Sequence, residues 1–130
     1  MKTFSIRGVQ VPSLLYGTAW KEDRTEALVK QALLAGFRGI DTANQRKHYF
    51  EEGVGKGIRA AGIPREELFL QTKFTSIDGQ DRRLPYDAHG ALSLQVEQSF
   101  ESSLLHLGVE QIDSFVLHGQ IGRASWRERV

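Results

Sequence analysis

The chain has 130 residues, a formal net charge of +1 and no cysteine. This length fits one domain with a modest core, and the balanced charge argues against a nucleic-acid partner or an acidic membrane surface. Without cysteine there are no disulfides and no thiolate metal sites, and the four histidines form no close pair at helical spacing, so we expect no metal site. The N-terminus lacks the apolar core of a signal peptide and no stretch approaches the roughly 20 apolar residues that span a bilayer. We therefore expect a cytoplasmic protein without a membrane segment.

The chain reads as a short hairpin followed by strands and helices in alternation. Residues 3–15 alternate loosely around Arg7-Gly8, which is typical of a β-hairpin with glycine at its turn. Apolar runs predict four strands, at residues 14–20, 37–42, 68–74 and 112–118. Helical spacing predicts three helices, one from Asp23 to Gly36 and two more at residues 51–61 and 93–107. Strands separated by helices favour a parallel sheet with right-handed crossovers.

Two of the predicted helices carry specific signals. Asp23 precedes Glu26 by three positions, the spacing of a capping box, and Gly36 is typical of a helix end. The core face predicted for this helix consists of Ala27, Leu28, Leu34 and Ala35. The stripe predicted for the last helix consists of Val96, Phe100, Leu104 and Leu107.

Titratable side chains close three of the predicted strands. Asp41 ends the second strand, Lys73 the third and His118 the fourth, while Tyr49 follows in the loop after Asp41. In barrels of alternating strands and helices the active site is built from the C-terminal ends of the strands. These four side chains therefore predict an active site at that end of the sheet.

Each of the four also has a structural alternative when taken singly. Asp41 can cap the following segment, Tyr49 can be a solvent-facing loop residue, and Lys73 and His118 can meet water at strand ends. Gly53-Val54-Gly55-Lys56-Gly57 superficially resembles a phosphate loop, but it lies within a helical pattern and lacks the Walker spacing.

Five motifs in order resemble those of the aldo-keto reductases: YGTAWK at 16–21, GFRGIDTA at 36–43, EGVG at 52–55, QTKF at 71–74 and LHG at 117–119. The resemblance implies an α/β fold that is the N-terminal half of a (β/α)8 TIM barrel, with four parallel strands, intervening helices and a preceding β-hairpin. It also implies NADPH-dependent reduction of aldehydes and ketones. The expected partner is a small-molecule carbonyl substrate, and we expect the parent protein to be a monomer.

The same resemblance assigns roles to individual residues. The positions that match the family's catalytic tetrad are Asp41, Tyr49, Lys73 and His118. The expected cofactor-binding residues are Gly17, Thr18 and Asp41, and the expected substrate-binding residues are Trp20 and His118. One departure is the loop at residues 45–48, which makes the interval from Asp41 to Tyr49 longer than is usual in the family.

These residue types suit the reaction. Carbonyl reduction needs a hydride at carbon, which a nicotinamide supplies, and a proton at oxygen, which the protein supplies. A tyrosine has an ordinary pKa of about 10 and is a poor acid at neutral pH, but a neighbouring ammonium stabilises its phenolate. Lys73 would provide that charge, Asp41 would hold Lys73, and His118 would orient the carbonyl oxygen.

We expect residues 1–120 to form half of the reductase barrel and the match to stop near Gly119. Residues 121–130, IGRASWRERV, resemble a translated sequencing-library adapter, and we interpret them as a tail foreign to the family; a short basic natural C-terminus is the alternative. In the family the groups that hold the adenosine 2′-phosphate come from the other half of the barrel. Two other functions stay open, a regulatory subunit on the same fold and an inactive fragment.

Overall fold

The computed structural model describes residues 2–119 and begins with an antiparallel hairpin. Its strands are β1 (Thr3–Ile6) and β2 (Val9–Pro12). Arg7 and Gly8 turn the chain with φ of 52° and 81°, the positive values that two-residue hairpin turns require. The hairpin predicted from the sequence is therefore confirmed.

Four parallel strands form the central sheet, in the order β3 (Leu15–Gly17), β4 (Gly39–Asp41), β5 (Phe69–Phe74) and β6 (Ser114–Leu117). The helices between them are α1 (Thr25–Leu34), α2 (Glu51–Ala61) and α3 (Leu92–Leu107). This confirms the predicted α/β class and the alternation of strands and helices. The strands are shorter than predicted: each begins one or two residues later, and the residues that follow β3, β4 and β6 already belong to the loops that carry the site.

Helix α1 begins and packs differently from the prediction. Asp23 caps nothing and lies in a 3-10 turn, Glu22–Arg24, and the Thr25 hydroxyl donates to the Glu22 carbonyl at 2.7 Å. The side chains that α1 buries are Thr25, Val29, Ala32 and Leu33, whereas Leu34 is 63% exposed. The sequence offers apolar residues around most of this helix, so periodicity alone did not select the correct face.

The core lies between the helices and the outer face of the sheet. Its buried apolar residues are Val29, Leu33, Ile40, Val54, Ile58, Leu68, Leu70 and Leu107. In α2, a side chain at Gly55 would collide with the carbonyl of His106, and one at Gly57 would collide with Val29 and the Glu26 carbonyl. These glycines let α2 pack closely between α1 and α3. They lie within the helix, as the sequence predicted, and serve packing.

Helix α3 buries a polar face where an apolar stripe was predicted. Its buried residues are Gln95, Ser99, Ser103 and Leu107, while Val96, Phe100 and Leu104 are half-buried. Phe100 packs edge-on against Phe115 of β6, with ring centres 5.1 Å apart. Ser103 contacts a buried polar cluster described below, and the Ser99 carbonyl accepts from the Asn44 amide, so polar groups occupy the buried face of this helix.

Within residues 2–119, no helix combines the length and the apolar character needed to cross a bilayer. The interpretation of residues 121–130 as a foreign tail concerns residues outside those that the structure describes.

Candidate active site

The sheet brings the four predicted residues to one edge. Asp41 is the last residue of β4, Lys73 is the next-to-last of β5, and His118 directly follows β6. Because the strands are parallel, their C-terminal ends lie side by side. Tyr49 reaches the same edge from the loop after β4, which a bond from the Tyr49 amide to the Gln45 carbonyl closes at 2.9 Å.

Lys73 and Asp41 form a direct ion pair. The Lys73 ammonium donates to Asp41 Oδ1 at 2.8 Å, to Oδ2 at 2.9 Å and to the Thr42 carbonyl at 2.9 Å. These contacts use all three of its N–H groups. The Lys73 side chain is 13% exposed and that of Asp41 is 23% exposed, so the pair is only partly screened by solvent.

Tyr49 lies between Lys73 and His118. The Lys73 ammonium is 5.0 Å from the centre of the Tyr49 ring, and the Tyr49 and His118 rings meet edge-to-face with centres 5.6 Å apart. Within residues 2–119 the phenol hydroxyl has no hydrogen-bond partner. The longer loop at residues 45–48 therefore still delivers a phenol next to the ammonium and the imidazole.

The His118 imidazole is held neutral and oriented. Burial lowers the pKa of His118 below its usual 6.5, and the neighbouring positive charge of Lys73 lowers it further. Its Nδ1 lies 2.8 Å from the Thr75 hydroxyl. In the tautomer with the proton on Nε2, Nδ1 accepts the Thr75 hydroxyl proton and Nε2–H remains available to a ligand.

Thr18 fixes the backbone beside Asp41. Its amide and its hydroxyl both donate to the Asp41 carbonyl, at 3.1 and 2.8 Å, and the side chain is fully buried. Gly17 is paired with Asp41 in the sheet, and no atom lies within 4 Å of the place a side chain would take at Gly17. The space beside the Asp41 carboxylate is therefore open on this side.

Trp20 is 69% exposed and stands outside the core. It has a φ of 63°, its amide donates to the His48 carbonyl at 2.7 Å, and its ring lies 4.0 Å from the His48 ring with a tilt of 35°. The two rings form an aromatic surface beside the loop that carries Tyr49. His48 was not predicted as a site residue.

Other neighbours of the site were also missed. Gln71 donates to Asp41 Oδ1 at 2.8 Å. Ser114 contacts Gln71, and Thr75 contacts His118. Gln71 had a readable signal, because it lies two positions before Lys73 in a predicted strand and thus on the same face. Ser114 and Thr75 had no such signal, since their partners come from other strands.

A second polar cluster lies on the opposite, outer face of β5. The Glu51 carboxylate accepts the hydroxyl protons of Thr72 at 2.5 Å and Ser103 at 2.8 Å, and lies 2.8 Å from His106 Nδ1. The hydrogen bond to Glu51 raises the pKa of His106 above 6.5. Next to this cluster is an open cleft of about 360 Å³, which Tyr49 and Glu51 border from one side and His106 from the other.

Comparison with known proteins identifies related chains. The profile described as Aldo/keto reductase family matches residues 13–125. The morphine 6-dehydrogenase of Pseudomonas putida is 34% identical over 113 residues, 85% of this chain and 33% of that protein. The methylglyoxal reductase DkgA of Yersinia pestis is 35% identical over 111 residues, 82% of this chain and 34% of that protein.

A solved aldo/keto reductase from Brucella melitensis superposes with a TM-score of 0.70 at 34% identity, covering 90% of this chain and 41% of that one. The chain spans about a third of the length of the curated relatives it matches. The profile match over residues 13–125 and the superposition on a solved member lead to one conclusion: this chain belongs to the aldo/keto reductase family.

Proposed function

We propose that this chain carries the catalytic residues of an enzyme that reduces aldehydes or ketones to alcohols, with Tyr49 as the proton donor. The observation that carries the proposal is the position of the Lys73 ammonium, bound to Asp41 through both carboxylate oxygens and 5.0 Å from the centre of the Tyr49 ring. A positive charge at this place favours the phenolate that forms when the tyrosine gives up its proton.

Asp41 and the Thr42 carbonyl determine where that charge is. Because all three N–H groups of Lys73 are bound, the ammonium cannot rotate away from the phenol without breaking a charge-assisted hydrogen bond. Asp41 therefore acts on the reaction through Lys73.

His118 orients the substrate in this proposal. A neutral imidazole with a proton on Nε2 donates one hydrogen bond to a carbonyl oxygen without itself being the stronger acid. Burial and the charge of Lys73 both lower the pKa of His118 and so favour this neutral form. The carbonyl oxygen would then lie between Nε2 of His118 and the phenol of Tyr49, and Trp20 would border the substrate on the exposed side.

The cofactor in this proposal is NADP(H), and the residues at the edge of the sheet fit its ribose. Asp41 Oδ2 accepts only the Lys73 bond among the described residues, so it retains a lone pair for a ribose hydroxyl, and the space beside Gly17 is open. NADPH supplies a hydride when bound. In this role Tyr49 would give its proton to the carbonyl oxygen as the carbonyl carbon receives the hydride, which would yield the alcohol, and the phenolate would regain a proton from solvent.

Tyr49→Phe tests the assignment of the proton donor. In the parent protein we expect kcat to fall by roughly 100- to 10,000-fold, the usual contribution of a positioned acid, with nearly unchanged affinity for NADPH. The measurement is steady-state reduction of methylglyoxal, chosen because a relative carries that name, together with a fluorescence titration of NADPH.

Tyr16→Phe is the matched control, since Tyr16 lies in β3 and packs edge-on against Phe37, away from the ion pair. We expect it to keep most of the activity. A Tyr49→Phe enzyme that retains most of its kcat would mean that another group delivers the proton.

We also propose that residues 1–120 are the N-terminal part of a longer reductase and that residues 121–130 are foreign to it. The share of the relatives that the chain spans supports the first part of the proposal. The family profile extends to residue 125, so the second part rests on the sequence of the tail alone. Sequencing the transcript beyond codon 120 tests it, and further strand–helix units in the same frame are the expected result. A stop codon after residue 130 in the genomic sequence would contradict it.

A further inference from the structure

We propose that Gln71 is a positioning residue for Asp41 and that Ser114 holds Gln71 in the orientation this requires. The inference deepens the function proposed above and rests on it, because Asp41 matters there through Lys73. Neither Gln71 nor Ser114 would touch the substrate.

The three residues form one row across the sheet. Asp41 is paired with Gln71 in the parallel register of β4 and β5, and Gln71 is paired with Ser114 in that of β5 and β6. Register partners in neighbouring parallel strands point to the same side of the sheet, so their side chains lie in line. Lys73, two positions after Gln71, approaches Asp41 from the next row on the same face.

The hydrogen bonds of this row run in one direction. The Ser114 hydroxyl donates to Gln71 Oε1 at 2.8 Å, and Gln71 Nε2 donates to Asp41 Oδ1 at 2.8 Å. Turning the Gln71 amide over would place its oxygen against the Asp41 carboxylate and leave Ser114 facing an NH₂ group. The acceptor-only Asp41 carboxylate therefore selects the amide orientation, and the Ser114 hydroxyl, which can donate or accept, holds the amide there by donating to Oε1.

This arrangement fixes the rotation of the carboxylate. The last torsion of an aspartate is broad and has no strong intrinsic preference. Lys73 alone binds both oxygens but comes from a flexible four-carbon chain. Gln71 adds a donor from a short side chain anchored at both ends, so that the carboxylate holds the ammonium in one place next to Tyr49.

A residue that only fills space would behave differently. Replacing a filler lowers the melting temperature and leaves kcat per folded molecule and its pH profile unchanged. A positioning residue changes kcat with little change in KM for the carbonyl, because the substrate contacts stay in place. It also moves the pH profile, because the charge next to the proton donor is less well placed.

The experiment uses Gln71→Leu, which removes the amide at similar volume, together with Ser114→Ala and Ser114→Thr in the parent protein. We expect Gln71→Leu to lower kcat about 10-fold, Ser114→Ala to lower it about 3-fold and Ser114→Thr, which keeps the hydroxyl, to restore it. The double variant Gln71→Leu/Ser114→Ala should be no worse than Gln71→Leu, since the serine acts through the glutamine. Ser102→Ala, a serine of α3 that is in neither contact, is the control.

The side-chain amide resonances of Gln71 provide a readout that does not depend on activity. In ¹⁵N-resolved NMR spectra we expect both Asp41→Asn and Ser114→Ala to shift these resonances, and Ser102→Ala to leave them in place. If the parent protein reduces no carbonyl, or if Lys73→Met keeps the rate, the proposed function fails. The resonances would still show whether the hydrogen bonds of the row exist. If the resonances stay unmoved, or if Ser114→Ala and Gln71→Leu are additive in kcat, the positioning role is overturned even where activity is lost. Ser114→Ala removes one half-buried hydroxyl of the row and keeps the test usable if Gln71→Leu does not fold.

Discussion

Strand β5 binds one carboxylate on each of its two faces, and the two carboxylates have different roles. On the inner face Gln71 and Lys73 bind Asp41, and on the outer face Thr72 binds Glu51. Asp41 remains 23% exposed and has a charged partner next to the Tyr49 phenol. The Glu51 side chain is only 2% exposed and is bound by three other side chains. A carboxylate left partly open can serve a reaction, and one that is closed on all sides serves the fold.

The outer cluster ties three elements together. Glu51 opens α2, Thr72 lies in β5, and Ser103 and His106 lie in α3. Burying a carboxylate is costly unless its oxygens are hydrogen-bonded, and here both oxygens are. Because Glu51 is two residues after Tyr49 and Thr72 adjoins Lys73, the cluster also anchors the segments that carry the site.

Lys73→Met, on the inner face, should have the largest effect of these variants, and the effect should be on catalysis. It removes the charge beside Tyr49 and leaves the Asp41 carboxylate without its cation, so we expect a loss of kcat of roughly 100-fold or more in the parent protein. Asp41→Asn should be milder, since the lysine keeps its bond to the Thr42 carbonyl. The pH dependence of kcat checks the coupling: a Lys73→Met enzyme that shows the parent's ionisation would refute it.

Glu51→Ala should break the outer face, with stability as the main loss. The change leaves the hydroxyls of Thr72 and Ser103 and the ring of His106 without their shared acceptor, at a cost of about 3–5 kcal/mol in the free energy of unfolding. Activity per folded molecule should fall less than in Lys73→Met, because Glu51 faces away from the ion pair.

Glu101→Ala is the matched control, a glutamate of α3 that is exposed to solvent and forms no ion pair within residues 2–119. Chemical denaturation of the three proteins gives the comparison, and we expect Glu101→Ala to lie within about 0.5 kcal/mol of the parent. Equal destabilisation by the two alanines would show that the outer cluster contributes no special stability.

The inner face was largely predictable from the sequence, and the outer face was not. Asp41, Lys73 and His118 each follow an apolar run, and the ends of parallel strands must meet at one edge, so spacing and topology sufficed to bring them together. Tyr49 depended on the family resemblance, because nothing in the loop at residues 45–48 indicates where its side chain points.

The outer cluster depends on contacts between residues that are far apart in the chain. Glu51 begins a helix and Ser103 and His106 end another, and each is ordinary for its position when read alone. The exposed face of α1 and the polar buried face of α3 escaped prediction for the same reason: which side of a helix is buried depends on its neighbours, such as Gly55 and Gly57 of α2, and periodicity does not contain them.

His106→Gln should change the free energy of unfolding least among these variants, and the sign of its pH dependence can be predicted. The hydrogen bond to Glu51 raises the pKa of His106 above its usual 6.5, and the charge of Glu51 adds to this. A group whose pKa is raised in the folded state contributes stability that is fully present below its unfolded pKa and is lost as the pH rises through the folded value. The parent should therefore exceed His106→Gln in the free energy of unfolding by about 1.5 kcal/mol near pH 6 and by less near pH 9.

His89→Gln is the control for this measurement, because His89 is exposed and contacts Asp87 only through its backbone amide. It should leave the free energy of unfolding unchanged at both pH values. The site histidine works in the opposite direction, since burial lowers the pKa of His118 and the fold loses stability as the pH falls below 6.5. Comparing each variant with the parent at the same pH removes the His118 contribution. A difference between parent and His106→Gln that grows toward pH 9 would contradict the charged pairing of His106 with Glu51.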